Sequence, residues 1–175
     1  MSEENGNIFA GMQIGPDFWL RSAQAVVRRF CGWHIAPNIT ETLHLDGHGG
    51  RGLELPTTHM TGLGAVSADG VDVSGDVAWS HTGVLWLKRG LWPDLPGAVE
   101  VEFSHGFAPD EVPDVQAVIA TLAKRAAATP GNVSSQSVNG ASVSFLAASG
   151  APLSVPLLAL EKETLAPYRV GWLPR

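Results

Sequence analysis

Charge is scarce in this chain of 175 residues: Asp, Glu, Lys and Arg make up 16% of it, against roughly 25% in an ordinary soluble domain. What charge there is leans acidic, with 17 carboxylates against 11 basic side chains, a formal net charge of −6 and a pI near 5.4. That balance excludes gripping a phosphate backbone as the main source of affinity, because such binding needs clustered Lys and Arg. Cys31 stands alone, so no intramolecular disulfide is possible and a reducing compartment is the simplest expectation. Its place at a predicted helix end marks it as packed, not reactive. No run of about 18 apolar residues occurs, and no basic stretch followed by an apolar one opens the chain, which points to a soluble intracellular protein with no membrane partner.

The signatures of chemistry are equally thin. No Gly-x-Ser-x-Gly elbow is found. Gly47 to Gly52 resembles a phosphate cradle only in composition, since it lacks the Lys-Ser/Thr ending and does not open a helix. Asp69, Asp72 and Asp76 do not have the spacing of a calcium loop. His44 and His48 stand four apart on a strand entering a glycine turn, where that spacing does not put both rings on one face. No metal, cofactor or catalytic set is expected. Glu100 and Glu102 share one strand face, as a solvated acidic face or as paired acids with no evident partner.

Against this, six tryptophans stand out. Low charge with aromatic anchors is the composition of a surface destined for partners. The clearest periodic signal lies in residues 113–128, where Val115, Val118, Ile119, Leu122 and Ala126 repeat at helical spacing. Pro113 suits a first turn, Asp110, Glu111 and Asp114 complement the positive end, Lys124 and Arg125 the negative one, and Thr129-Pro130-Gly131 stops it. The spacing makes this the helix on which the other elements pack. A second helix is predicted over 17–31, with Asp17 as cap and Leu20, Ala23, Val26, Val27 and Phe30 as its buried stripe, ending before Gly32. A third, short helix is predicted over 156–166, ended by Pro167.

Between residues 38 and 107 the period shifts toward two, with turn residues at short intervals, so an antiparallel β module is expected between the helices. Leu43 and Leu45, then Gly47-His48-Gly49-Gly50, then Leu53 and Leu55 read as a hairpin. Asp69-Gly70 and His81-Thr82-Gly83 mark two further reversals. Residues 57–64 give a poor pattern. Residues 98–104 give the cleanest strand, with Val99, Val101 and Phe103 inward and Glu100, Glu102 and Ser104 outward. Residues 130–140 read as a loop and 141–145 as one more strand. The fold class is therefore α+β: a small helical core carrying an inserted antiparallel β module. Residues 1–15 are expected as a flexible arm, 16–169 as one domain, and 170–175 as a tail with no partner in its own sequence.

The run Ala23-Gln24-Ala25-Val26-Val27-Arg28-Arg29-Phe30-Cys31-Gly32-Trp33-His34-Ile35-Ala36-Pro37 is followed in order by Thr42-Leu43-His44-Leu45-Asp46-Gly47 and Gly90-Leu91-Trp92-Pro93. Val101 to Phe107 and Leu165-Ala166-Pro167-Tyr168-Arg169 then complete the series. In that order these segments resemble the head-to-tail connector (adaptor) proteins of tailed phages infecting actinobacteria, over about residues 20–169. The sequence departs from that family at its N-terminus, where a glycine-containing arm replaces a further helix.

The resemblance implies a structural virion protein and not an enzyme. It would form a ring of itself, of twelve copies in the family, beneath the portal protein. The ring would extend a channel through which double-stranded DNA passes without specific binding, and would present a platform to a stopper or other neck protein. Its place would be the neck between capsid and tail, after assembly in the host cytoplasm. In that setting Tyr168, Arg169 and Trp172 are candidates for the portal or subunit interface, because short aromatic and Arg-bearing segments make hot spots. Glu100 and Glu102 are candidates to face the channel, where carboxylates repel phosphate. The alternatives are a stopper or tail-terminator subunit and, from a different class, a small intracellular hydrolase using the histidines.

Overall fold

A computed structural model describes residues 15–128, 135–138, 141–144 and 156–171. The predicted N-terminal arm, apart from Gly15, and the tail from Trp172 onward lie outside the described residues. Helix α1 (Pro16–Cys31) starts after an extended Gly15, so Asp17 sits inside the first turn and favours the dipole there without capping it. It ends at Gly32, whose φ of 87° is left-handed and whose N–H bonds the Arg28 carbonyl at 2.7 Å. Helix α2 (Pro113–Ala128) buries Val115, Val118, Leu122 and Ala126, the stripe its spacing predicts, and packs along α1. The α1 stripe is covered only from Ala23 onward. Leu20, expected in that stripe, remains 42% exposed, because the buried residues of α1 are Ala23, Val27 and Cys31.

Helix α3 is shorter than its sequence suggests, Ala159–Leu165, and runs on into a 3-10 turn over Ala166–Tyr168. The Glu161 carboxylate accepts the Leu158 N–H at 2.8 Å and so fixes the helix start three residues later than Pro156 proposes. Both Glu161 oxygens accept from Arg125 of α2 at 3.0 Å. Burial pushes the Glu161 carboxyl up, and the Arg125 and Leu158 bonds outweigh it, leaving the group below the usual carboxylate range. The α-helix ends just before Pro167, as the sequence predicts, and the chain continues into a 3-10 turn that tolerates proline at an early position.

The β module forms two sheets. β1 (Ile39–Leu45), β3 (Met60–Ala68), β4 (Val71–Asp72) and β7 (Val99–His105) make one, in the order β1-β7-β3-β4, and β2 (Gly52–Glu54), β5 (Val77–Trp79) and β6 (Val84–Leu87) the other, in the order β2-β6-β5. All pairings are antiparallel. The turns predicted at Asp69-Gly70 and His81-Thr82-Gly83 join β3 to β4 and β5 to β6. The hairpin predicted across Gly47–Gly50 is absent: β1 pairs with β7, and β2 pairs with β6.

The physical reason is that this glycine segment bonds another loop. Gly47 N–H reaches the Leu95 carbonyl at 3.0 Å and Gly49 N–H the Pro93 carbonyl at 3.4 Å. A Cβ on Gly47 would overlap the Pro93 carbonyl. The segment therefore carries the chain from one sheet to the other. Residues 60–68 form a nine-residue strand, masked in the sequence by register shifts between Met60 and Gly62 and between Leu63 and Val66. Ser135–Val138, expected as loop, is a strand, β8, paired with β9 (Ala141–Ser144).

Two apolar clusters result. Leu53, Leu85, Leu87, Val99, Val101 and Phe103 sit between the inner faces of the two sheets, and Val27, Cys31, Val115, Leu122 and Leu165 lie among the helices. The expectation of a single core around α2 is thus corrected, because the sheets bury their apolar faces against each other. The fold is α+β, as the sequence indicates. Leu122→Ala and Leu85→Ala, one in each cluster, are each expected to cost about 2–5 kcal/mol, read as lowered melting midpoints. A loss below about 1 kcal/mol at either position would show that its cluster is not a closed core.

Candidate functional site

The junction between the helices and the four-stranded sheet concentrates the polar and aromatic groups. Residues 33–38 leave α1 through a buried Ile35 at φ 65° and a cis Ala36–Pro37 bond. A left-handed conformation is costly for a β-branched residue. It is held by the Phe107 N–H bond to the Ile35 carbonyl, 2.8 Å. Gly106, at φ 110°, approaches so closely that a Cβ there would lie 2.5 Å from the Pro37 carbonyl oxygen and 2.8 Å from His34 Nε2.

His105, at the end of β7, is 1% exposed. Its Nε2–H donates to Glu41 Oε1 at 2.9 Å, which leaves Nδ1 as a lone-pair acceptor with no protein partner among the described residues. The rings of Trp33, His34 and Phe103 surround it, at 5.9, 4.5 and 4.5 Å between centroids. His59 stacks on Phe107 at 4.0 Å beside them. Burial, and then the neighbouring His34, push the His105 imidazole below its usual range, while Glu41 acts in the opposite direction.

Sequence reading did not pick out Glu41 or His105, yet a signal exists. Glu41 falls in the inward phase of β1 with Leu43 and Leu45, and His105 continues the Val99, Val101, Phe103 phase. A carboxylate–imidazole pair becomes a hydrolytic triad only with a hydroxyl or thiol on the free ring nitrogen, and none of the described residues supplies one. Cys31 is elsewhere: its Sγ–H points to the Leu165 carbonyl at 3.8 Å, and burial pushes the thiol up to about 12 against the lowering influence of Arg169. No group of three His, Cys, Asp or Glu side chains able to hold a metal occurs among the described residues, and no helix there is long and apolar enough to cross a membrane.

Tyr168 and Arg169 are tied to their own subunit. Trp33 Nε1–H donates to the Tyr168 carbonyl at 2.6 Å, Tyr168 Oη–H donates to Asp114 at 3.0 Å, and Arg169 Nε–H donates to the Phe30 carbonyl at 3.2 Å with its guanidinium 4.9 Å from the Phe30 ring. Val170 is buried and its N–H bonds the Cys31 carbonyl at 3.0 Å. The idea of a tail without a partner in its own sequence is therefore corrected as far as Val170.

Glu100 and Glu102 stand exposed on the outer face of the four-stranded sheet, on a central strand, opposite His44 and Thr42 of β1. Glu102 also lies across the bulge in β3: its Oε2 accepts the Ala65 N–H at 3.4 Å, and a Cβ on Gly64 would come within 2.7 Å of it. The tryptophans separate. Trp33 and Trp92 are buried, whereas Trp86 lies on the outer face of the three-stranded sheet, 50% exposed, its ring 3.5 Å from the position of a Cβ on Gly52. Leu91 and Leu95 are exposed as well.

No protein-family model matches the chain, and none of the curated proteins does. Among solved structures, the chain is similar to one in the neck of a native GTA (gene transfer agent) particle computed with C12 symmetry. The TM-score is 0.57 at 16% identity, covering 91% of this chain and 84% of that one. A chain in the neck of an empty GTA particle, computed with C6 symmetry, gives 0.49 at 18% identity over 91% and 79%. The first likeness establishes a shared fold across nearly the whole chain.

The junction makes a prediction. His105 is neutral in the folded protein at pH 7, while the unfolded chain takes up that proton near pH 6.5. Stability is therefore complete above about 6.5 and declines as pH falls from there toward the lowered folded value. Thermal melts between about pH 7.5 and 5.5 should show a falling midpoint in the native protein and a flatter profile in His105→Gln. Equal slopes would contradict a buried neutral imidazole.

Proposed function

We propose that this protein is a structural component of a phage-like neck, an adaptor that assembles as a ring between a portal and the next tail-side component. The observation that carries the reading is the fold shared over 91% of the chain with a chain from a neck computed with C12 symmetry. The charge-poor composition and the exposed Trp86, Leu91 and Leu95 support it, since a subunit enclosed by neighbours keeps such side chains at its contacts. A ring of twelve copies, a portal above it, a stopper below it and a location in the neck of the particle all belong to this proposal. So does a non-enzymatic role, which accords with the neck chain whose fold it shares. Native mass spectrometry of the full chain with the portal of its own particle is expected to show about twelve copies bound on one portal ring. A chain that stays monomeric and unbound overturns the reading.

Within this proposal the C-terminal segment docks on the portal through Trp172, with Tyr168 and Arg169 holding the base of the segment on its own subunit. Because Val170 is part of the helical cluster, the deletion that tests the docking begins at Trp172. Removing residues 172–175 is expected to abolish portal binding and to leave the melting midpoint within a degree or two. Full binding by the truncated chain removes the segment from the interface.

Glu100 and Glu102 are proposed to line the channel, their carboxylates repelling the phosphates of passing DNA. The Glu100→Lys, Glu102→Lys double variant is expected to assemble normally and to slow DNA ejection; unchanged ejection and infectivity would place both side chains away from the DNA.

A further inference from the structure

The net charge of the chain is not spread over it. Residues 38–107 hold nine of the seventeen carboxylates and only three of the eleven basic side chains, Arg51, Lys88 and Arg89, so the β module carries the whole formal charge of −6 and the remainder is neutral. On that neutral part α1 presents Arg21 and Arg28 seven residues apart, hence on one face, and neither guanidinium makes an ion pair or hydrogen bond among the described residues. Arg28 borders a groove between α1 and α2 whose floor includes Val27, Ile35, Val115 and Ile119 and whose volume is about 190 Å³. That is smaller than the roughly 300–1,000 Å³ of ordinary ligand pockets and suits a side chain or a turn. Asp110 and Glu111 lie near its Pro109 end, where Glu111 is occupied by the Ala108 N–H at 2.7 Å. The α1 side of the groove is left cationic.

The complementary shape lies at the other end of the molecule. Ala68 pairs with Val71 across Asp69-Gly70, both at positive φ, 51° and 75°, as a tight two-residue turn requires. This tip carries Val71, 64% exposed, between the exposed Asp69 and Asp72, and the Asp69 carboxylate has no partner among the described residues. β3 runs from Met60, opposite His105 at the junction, to Ala68, opposite Val99, a length of about 26 Å at strand rise. His34, Ile35 and Pro37 place the groove at the junction end. The tip of one chain therefore lies far from the groove of the same chain.

We infer that the β3–β4 tip of one copy seats in the α1–α2 groove of the next, with Val71 on the apolar floor and Asp69 and Asp72 facing Arg21 and Arg28. The contact uses two different patches at opposite ends of one chain, the heterologous geometry that gives a ring where the rotation between copies closes. It rests on the ring reading above and names the surfaces that make the ring.

The test is a charge swap in the full chain, read by native mass spectrometry on the portal. Arg21→Glu/Arg28→Glu and Asp69→Lys/Asp72→Lys, each with a folded melting profile, are each expected to lose ring assembly. An equimolar mixture is expected to recover it as rings of even copy number in which the two variants alternate. Assembly of either variant alone at the wild-type level, or a mixture of folded variants that recovers nothing, overturns this contact while leaving the ring intact as a reading. Failure of the wild-type chain to assemble overturns both. Should a swap variant not fold, Gln24→Cys/Val71→Cys serves instead, Cys31 being buried. Oxidation of the assembled chain is expected to give a ladder of disulfide-linked multimers, and absence of the ladder refutes the seating.

Discussion

Trp33 is the side chain on which the arrangement of the parts depends. Its indole N–H holds the carbonyl of Tyr168 at 2.6 Å, its ring stacks on His105 at the end of β7, and it lies 6.1 Å from Phe107 on the way into α2. Three distant stretches of sequence, the end of α1, the end of β7 and the C-terminal segment, thus meet on one aromatic ring. Neither apolar cluster supplies this link by itself, since one lies among helices and the other between sheets. A buried indole needs a hydrogen-bond partner, and the backbone carbonyl it finds belongs to residue 168, which determines where the chain runs after α3.

What sits around Trp33 follows from that link. With β7 ending against the indole, His105 is enclosed and must be satisfied from the side. Glu41 does this from the neighbouring strand, in a phase otherwise given to Leu43 and Leu45. An inward acid on an edge strand also discourages unwanted pairing of that edge with other chains. The close approach at Gly106 and the left-handed Ile35 are further consequences: the chain has to cross from helix to sheet and back within a few residues. The strain is local and is opposed by burial of Ile35 itself.

Local patterns carried much of this architecture into the sequence. The stripe of α2, the alternation of β7 and the turns at Asp69-Gly70 and His81-Thr82-Gly83 each depend on neighbours within a few residues, and each was legible for that reason. The glycines at 47–50 were not, because their hydrogen bonds go to Pro93 and Leu95, more than forty residues away. β3 was hidden by bulges, which shift the alternation by a residue each time. β9 is legible over 141–145, but β8 is not, because Ser and Gln dominate its residues, although Asn139-Gly140 is a strong two-residue hairpin signal. Of the junction, Glu41 and His105 are legible only as polar residues in apolar strand phases, and the burial of Trp33 is not legible, since an indole suits a core as well as a contact. Nor does the sequence show that Tyr168 and Arg169 fasten the C-terminal segment to α2 and α1, since their partners Asp114 and Phe30 lie far away along the chain.

The separation of charge from structure gives the molecule its polarity. A sandwich of two small sheets closes its own core, so its outer faces are free to accumulate carboxylates without cost to folding, provided they stay solvated or apart. The helical part balances its charges and uses several of them internally, Arg125 with Glu161 and Arg169 with the Phe30 carbonyl. Copies of such a subunit in random orientation repel one another through their β modules. The head-to-tail contact inferred above would instead put the acidic tip of one copy beside the arginines of α1 in the next, where opposite charges attract. An assembly of that kind is favoured by orientation more than by total charge. This is consistent with a chain that carries few charged groups and holds all of its formal imbalance in the β module.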